Sequence, residues 1–300
     1  GMSLGEEIVT GDYYEKHMAL SQDGNRLVVG YEGRDPDDDL QDLWVEVIDL
    51  RSLQVENRFT VIPNNSIDVH VDVFELLPDG NTLVIKAVDD NMLQYWDMTT
   101  KKQVGEFELG VQASVVGFSA DGSLILAADD DGNAEIRDRE SGERLFYKSG
   151  IDQYIGPYSA GFSPDGKTAV LSGSDVMVIW DLSTGNAREF ESNGQMTISP
   201  DGQWLAMYYG NSSKIYIYDL PGQKIAAELE YPDHCIDLAF TLDSSLLIVN
   251  AVDTLLFLDP QTGETIHSVE YTSFDFDLSA DGKILTTFSL DGTIRVWGVP

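Results

Sequence analysis

Basic residues are scarce in this chain: 18 Lys and Arg stand against 52 Asp and Glu, for a net charge of −34. A surface so negative repels nucleic acid phosphates and anionic lipid headgroups, which excludes both as general partners and leaves a basic protein or peptide as the favoured one. Cysteine is nearly absent. Cys235 alone cannot form an internal disulfide, and no Cys/His cluster has zinc spacing, so the fold depends on neither kind of staple. No apolar run approaches the roughly 20 residues of a membrane-spanning helix, and Gly1 to Thr10 lacks the basic start and apolar stretch of a secretory leader. The expectation is a soluble, monomeric, cytoplasmic protein.

Catalytic and cofactor signals are equally thin. His17, His70, His234 and His267 are scattered, with no HExxH pair and no Gly-x-Ser-x-Gly nucleophile elbow. No Gly-rich phosphate loop leads into a helix, because no window has a convincing helical period. No enzymatic activity, cofactor or resident metal is therefore expected. The run Asp129-Asp130-Asp131-Gly132-Asn133 invites a calcium reading, but an EF-hand loop with Gly132 at its sixth position would need an acidic residue where Ala127 stands. A tight turn between two strands describes it better.

What the chain has is repetition. A phrase made of an apolar stretch, a small or polar residue, Asp-Gly and a second apolar stretch recurs at Asp23-Gly24, Asp79-Gly80, Asp121-Gly122, Asp165-Gly166, Asp201-Gly202 and Asp281-Gly282. Asp243-Ser244 is a degenerate seventh copy. The period is about 43 residues, that of a four-stranded propeller blade. Later in each unit a third strand alternates with period two, as in Leu93 and Tyr95, Met177 and Ile179, or Ile215 and Ile217. Such a four-stranded sheet cannot cover its own faces, so consecutive units must stack, and seven of them make a closed ring. Only Gly298, Val299 and Pro300 follow Trp297, too few for an outer strand, whereas Glu6 to Thr10 is a spare strand ahead of the first unit. That segment is expected to complete the seventh blade and cover its edge.

Phe162-Ser163-Pro164-Asp165-Gly166, followed by Trp180-Asp181 and Thr184-Gly185, resembles the WD40-repeat family of β-propellers. Trp96-Asp97 repeats the signature pair, while Asp49, Asp138, Asp219 and Asp259 keep its aspartate behind another residue. The Gly-His that usually opens a unit is missing, so the family's buried His-Ser-Asp-Trp network cannot be complete. The resemblance spans the whole chain and implies one all-β domain over residues 1–300: a seven-bladed β-propeller of four-stranded antiparallel blades, closed by the N-terminal strand. It also implies a non-catalytic scaffold for protein binding. Propellers with other repeat signatures, including lactone hydrolases with a channel metal, remain the alternative class.

Carboxylates that recur once per unit are what turn chemistry demands, because Asp accepts local backbone N–H bonds. Residues that do not recur are better functional candidates. Loops between second and third strands share one face of a propeller with the blade-linking loops, and here they carry Asp35, Asp37, Asp38, Asp39, Asp89, Asp90, Asp129, Asp130 and Asp131. The blade-linking loops add Tyr13, Tyr14, Tyr154 and Tyr158. The acidic loops either serve solubility alone or draw in a Lys/Arg segment that the tyrosine rings hold by cation–π contact.

Overall fold

Each repeated phrase folds as a tight turn between two strands. In the fourth unit Gly166 N–H donates to the Ser163 carbonyl at 2.8 Å, and Ser163 Oγ accepts the Thr168 N–H at 2.9 Å. Asp165 Oδ1 accepts the Ser163 hydroxyl and the Lys167 N–H, which leaves the turn with its local donors paired. The turn needs left-handed backbone at its fourth position, and Gly166 supplies it at φ 66° without a Cβ clash. In the degenerate copy Ser244 adopts φ 58° in that place.

The computed structural model describes residues 3–9, 15–21, 24–34, 41–61, 71–87, 90–151, 159–173, 176–191, 196–208, 214–222, 224–230, 235–241, 243–251, 254–270, 275–279, 283–289 and 293–298. They form seven four-stranded antiparallel sheets, six of them made of four consecutive strands. The fourth sheet is typical, with Ser159–Phe162, Thr168–Ser172, Val176–Asp181 and Asn186–Glu191 in that order. The remaining sheet runs Ser3–Val9, Thr293–Gly298, Ile284–Phe288, Asp275–Leu278. The N-terminal strand thus completes the last blade, and it starts at Ser3, ahead of the expected Glu6. A register shift between Leu4 and Glu7 in its pairing with Thr293–Gly298 accommodates one extra residue. Thr10 lies outside the described residues.

The alternation in the third strands separates two interfaces instead of a buried and a solvated face. In Val176–Asp181 the side chains of Val176, Val178 and Trp180 join a core with Leu126, Ile136 and Ile151 of the preceding blade. Met177 and Ile179 point the other way, toward Leu205 and Met207 of the following blade. Both faces are covered, so the second and third strands read as nearly continuous apolar runs. Fourth strands such as Lys102–Glu108 are exposed along almost their whole length.

Two compact units divide the chain, one of residues 1–109 with 276–300 and one of 110–275. In the first, Leu27, Val29 and Tyr31 of the first blade pack with Ile294 and Val296 of the seventh. Val28, Val45 and Val47 pack with Leu83 and Ile85 of the second blade. In the second unit the third to sixth blades pack in chain order, the last pair through Ile215 and Ile217 against Leu238 and Phe240.

Candidate functional site

The two ends of a blade treat carboxylates differently. At one end lie the turns after the first strand and after the third, and their aspartates are engaged by their own turns. Asp79 accepts the N–H groups of Asn81 and Thr82, Asp97 accepts Thr100 N–H and the Asn81 amide, and Asp181 accepts Ser183 and Thr184 N–H. Hydrogen bonds to the charged form hold Asp97 and Asp181 below the usual carboxylate range. The Ser119 hydroxyl, with Ser123 behind it, lowers Asp121 to about 2, and the Lys167 side chain, with Ser163, lowers Asp165 to about 2. These once-per-blade aspartates act as architecture.

At the opposite end, the turn between the second and third strands of the third blade places three acidic residues in sequence. Asp129 is buried, and its carboxylate accepts the N–H of Asp131 at 3.1 Å and both the backbone and side-chain N–H groups of Asn133, so it shapes the turn and has little left for a partner. Gly132 is required here. It sits at φ 78°, and a Cβ on it would lie 2.0 Å from the Ile151 carbonyl oxygen. The turn pushes Asp130 and Asp131 into solvent, with Asp130 Oδ1 accepting the Ser114 hydroxyl at 2.6 Å. In the second blade the half-buried Asp90 accepts the Met92 N–H at 3.0 Å. Asp35, Asp37, Asp38, Asp39, Asp89, Tyr13, Tyr14, Tyr154 and Tyr158 lie outside the described residues, as do His70 and His234.

The comparisons with known proteins bear on this arrangement. The profile of the WD domain, G-beta repeat, matches residues 263–298. Protein groucho of Drosophila melanogaster is 25% identical over 244 residues, covering 77% of this chain and 33% of that protein. The chain therefore spans about a third of the length of this curated relative. A chain from the crystal structure of a mitotic checkpoint complex superposes with a TM-score of 0.78, covering 99% of this chain and 92% of its own length at 14% identity. The chain has the seven-bladed β-propeller fold and carries a match to the WD domain, G-beta repeat, in its last blade. Its divergence from that repeat is visible at the signature tryptophans. Trp297 Nε1 donates to Thr287 Oγ1 at 2.9 Å and Trp96 Nε1 to Gln94 Oε1 at 3.2 Å, so side chains of the same sheet take the place of the missing histidine network.

Buried charge in the propeller was not legible in its sequence. Lys86 is 1% exposed, and its ammonium donates to Asp72 Oδ2 at 2.8 Å and to the Ala87 carbonyl at 3.0 Å. Glu135, equally buried, accepts the Gly110 N–H at 2.6 Å and pairs with Arg137 at 2.7 Å. Both pairs brace strand ends next to the loops described above. Removing one partner of such a pair would strand a charge away from water. Glu75 is reached by solvent yet closely surrounded by protein, and desolvation pushes it up to about 7.

Cys235 begins a first strand as expected, half-buried, and burial together with Asp237 pushes its thiol well above the ordinary range. A thiol so protected from ionisation is a poor nucleophile. His17 stacks on Phe74 with centroids 5.6 Å apart, and His267 lies 5.9 Å from Phe257. Among the described residues, no three His, Cys, Asp or Glu side chains converge as a metal site.

Proposed function

We infer that this propeller is a non-catalytic protein-interaction scaffold whose acidic loop face binds a Lys/Arg-rich segment of a partner protein. The observation that carries the reading is the division of labour among carboxylates: those at the turn end are held by N–H donors, while Asp130 and Asp131 stand in solvent at the loop end. Likeness to a chain solved within a checkpoint complex supports a binding role. Asp129 and Gly132 set the loop, Asp130, Asp131 and Asp90 attract, and Asp35, Asp37, Asp38, Asp39 and Asp89 extend the field. Tyr13, Tyr14, Tyr154 and Tyr158 supply contact area less sensitive to salt. The seven blades act together as one monomeric domain, in a reducing cytoplasm where Cys235 stays a thiol.

The test is capture of a partner from native lysate at low salt, followed by binding kinetics with Asp130→Asn/Asp131→Asn. At about 0.15 M salt charges interact over about 8 Å, so carboxylates crowded on one face act together while dispersed ones do not. The double variant should associate several-fold more slowly and lose much of the salt dependence of the parent. Equal association rates at low salt would overturn the reading.

A further inference from the structure

At the turn end of the second unit, the fourth and fifth blades part to leave a cleft of about 440 Å³. At two other junctions of this end neighbouring turns touch: Asp201 N–H donates to Ser244 Oγ at 3.0 Å across the fifth and sixth blades, and a Cβ on Gly24 would lie 3.0 Å from Ser279 across the first and seventh. At Gly202, as at Gly166, the corresponding space is open, and a Cβ there would meet nothing within 4 Å. An edge-on contact between Phe190 and Tyr218, with centroids 5.7 Å apart, ties the two blades together beside the cleft.

The chemistry of the walls specifies an occupant. Ile179, Leu220, Pro200 and Pro221 present apolar surface, enough for an aliphatic side chain. Asp181 and Asp201 line the same cleft; Ser183 and Thr184 engage the first, while Asp201 spends Oδ1 on its own turn and its Oδ2 accepts no hydrogen bond from a described residue. Asp165 differs, because Lys167 occupies its second oxygen at 2.9 Å. Apolar wall and two carboxylates without a cationic partner together suit an aliphatic residue adjacent to a cation.

We propose that this cleft is a second docking site, which takes a short extended segment of another protein carrying an aliphatic side chain next to a Lys or Arg. It lies at the opposite ends of the strands from Asp130 and Asp131 and does not depend on the loop-face reading.

The test uses the full chain with labelled Ile and Leu methyls, titrated with the acetylated hexapeptide Ser-Leu-Arg-Leu-Lys-Ser at low salt. A second peptide with Glu in place of Arg and Lys is the charge control. The basic peptide should shift the methyls of Ile179 and Leu220, with a dissociation constant of about 1 mM or tighter. Asp181→Asn with Asp201→Asn keeps both turn acceptors and should weaken binding at least about fivefold, since it removes the charges alone. Gln203→Trp, an exposed position on the cleft wall, should abolish the shifts. No shift at Ile179 and Leu220, equal binding of the acidic peptide, or undiminished binding to either variant overturns the proposal. Shifts confined to Ile151, beside the acidic turn, would also overturn it while leaving the loop-face reading standing.

Discussion

The backbone N–H of Leu20 donates a 2.6 Å hydrogen bond to Asp277 Oδ2, joining the first strand of the first blade to that of the seventh across 257 positions of sequence. Edge strands carry unpaired donors, and a neighbouring blade's side chain satisfies this one. Together with the pairing of Ser3–Val9 and Thr293–Gly298, it ties the chain's two ends. Asp277→Ala should cost about 1–2 kcal/mol by stranding the Leu20 donor. Deleting residues through Thr10 should cost more and promote association through the bared edge of Thr293–Gly298. Urea unfolding and sedimentation check both, and a truncated chain that unfolds like the parent and stays monomeric would refute the closure.

Trp180 is 3% exposed within the core shared by the third and fourth blades. Replacing it with alanine should destabilise by about 3–5 kcal/mol, since the lost packing leaves a cavity between rigid sheets. The unfolding midpoint reports this directly.

Stability should bend with pH in two windows of opposite sign. Asp121 and Asp165 sit at about 2 in the folded chain, below their unfolded values, so their contribution is present above about 4 and disappears as pH falls toward 2. Glu75 runs the other way. Its folded value of about 7 lies above the unfolded one, so stability declines as pH rises from about 4.5 to 7. Glu75→Gln should match the parent at pH 4 and exceed it at pH 8. Thermal melts across that range decide it.

Lys101 occupies a left-handed position at φ 58°, where the third, fourth and sixth blades place Gly142, Gly185 and Gly263. Its N–H donates to the Asp97 carbonyl at 2.8 Å, a bond glycine would keep. Lys101→Gly should therefore stabilise by about 0.5–1 kcal/mol, the relieved backbone strain outweighing the added freedom of the unfolded chain. A lower urea midpoint would contradict this.

Turns such as Ser163 to Gly166 were legible because their chemistry is local: the residues that bond are two to five positions apart. The closing strand was legible from arithmetic, since too little chain follows Trp297 for another strand. Its start was not, because Ser3, Leu4 and Gly5 do not alternate and Ser3 and Leu4 join the ladder only across a register shift. The adjacent aspartates 129–131 looked equivalent in sequence, yet the turn buries the first and exposes the other two. Lys86 with Asp72, and the cleft between Ile179 and Leu220, depend on how strands and blades are spaced, which no local pattern encodes.

The loop-face reading is tested most directly by hydrogen exchange on the propeller with its captured basic partner bound. The account predicts slowed exchange at the amides of Asp130 to Asn133 and at Asn91 and Met92, lost in the Asp130→Asn/Asp131→Asn variant. Protection confined to the turns around Asp165 and Asp201, with the loop amides unchanged, would contradict it.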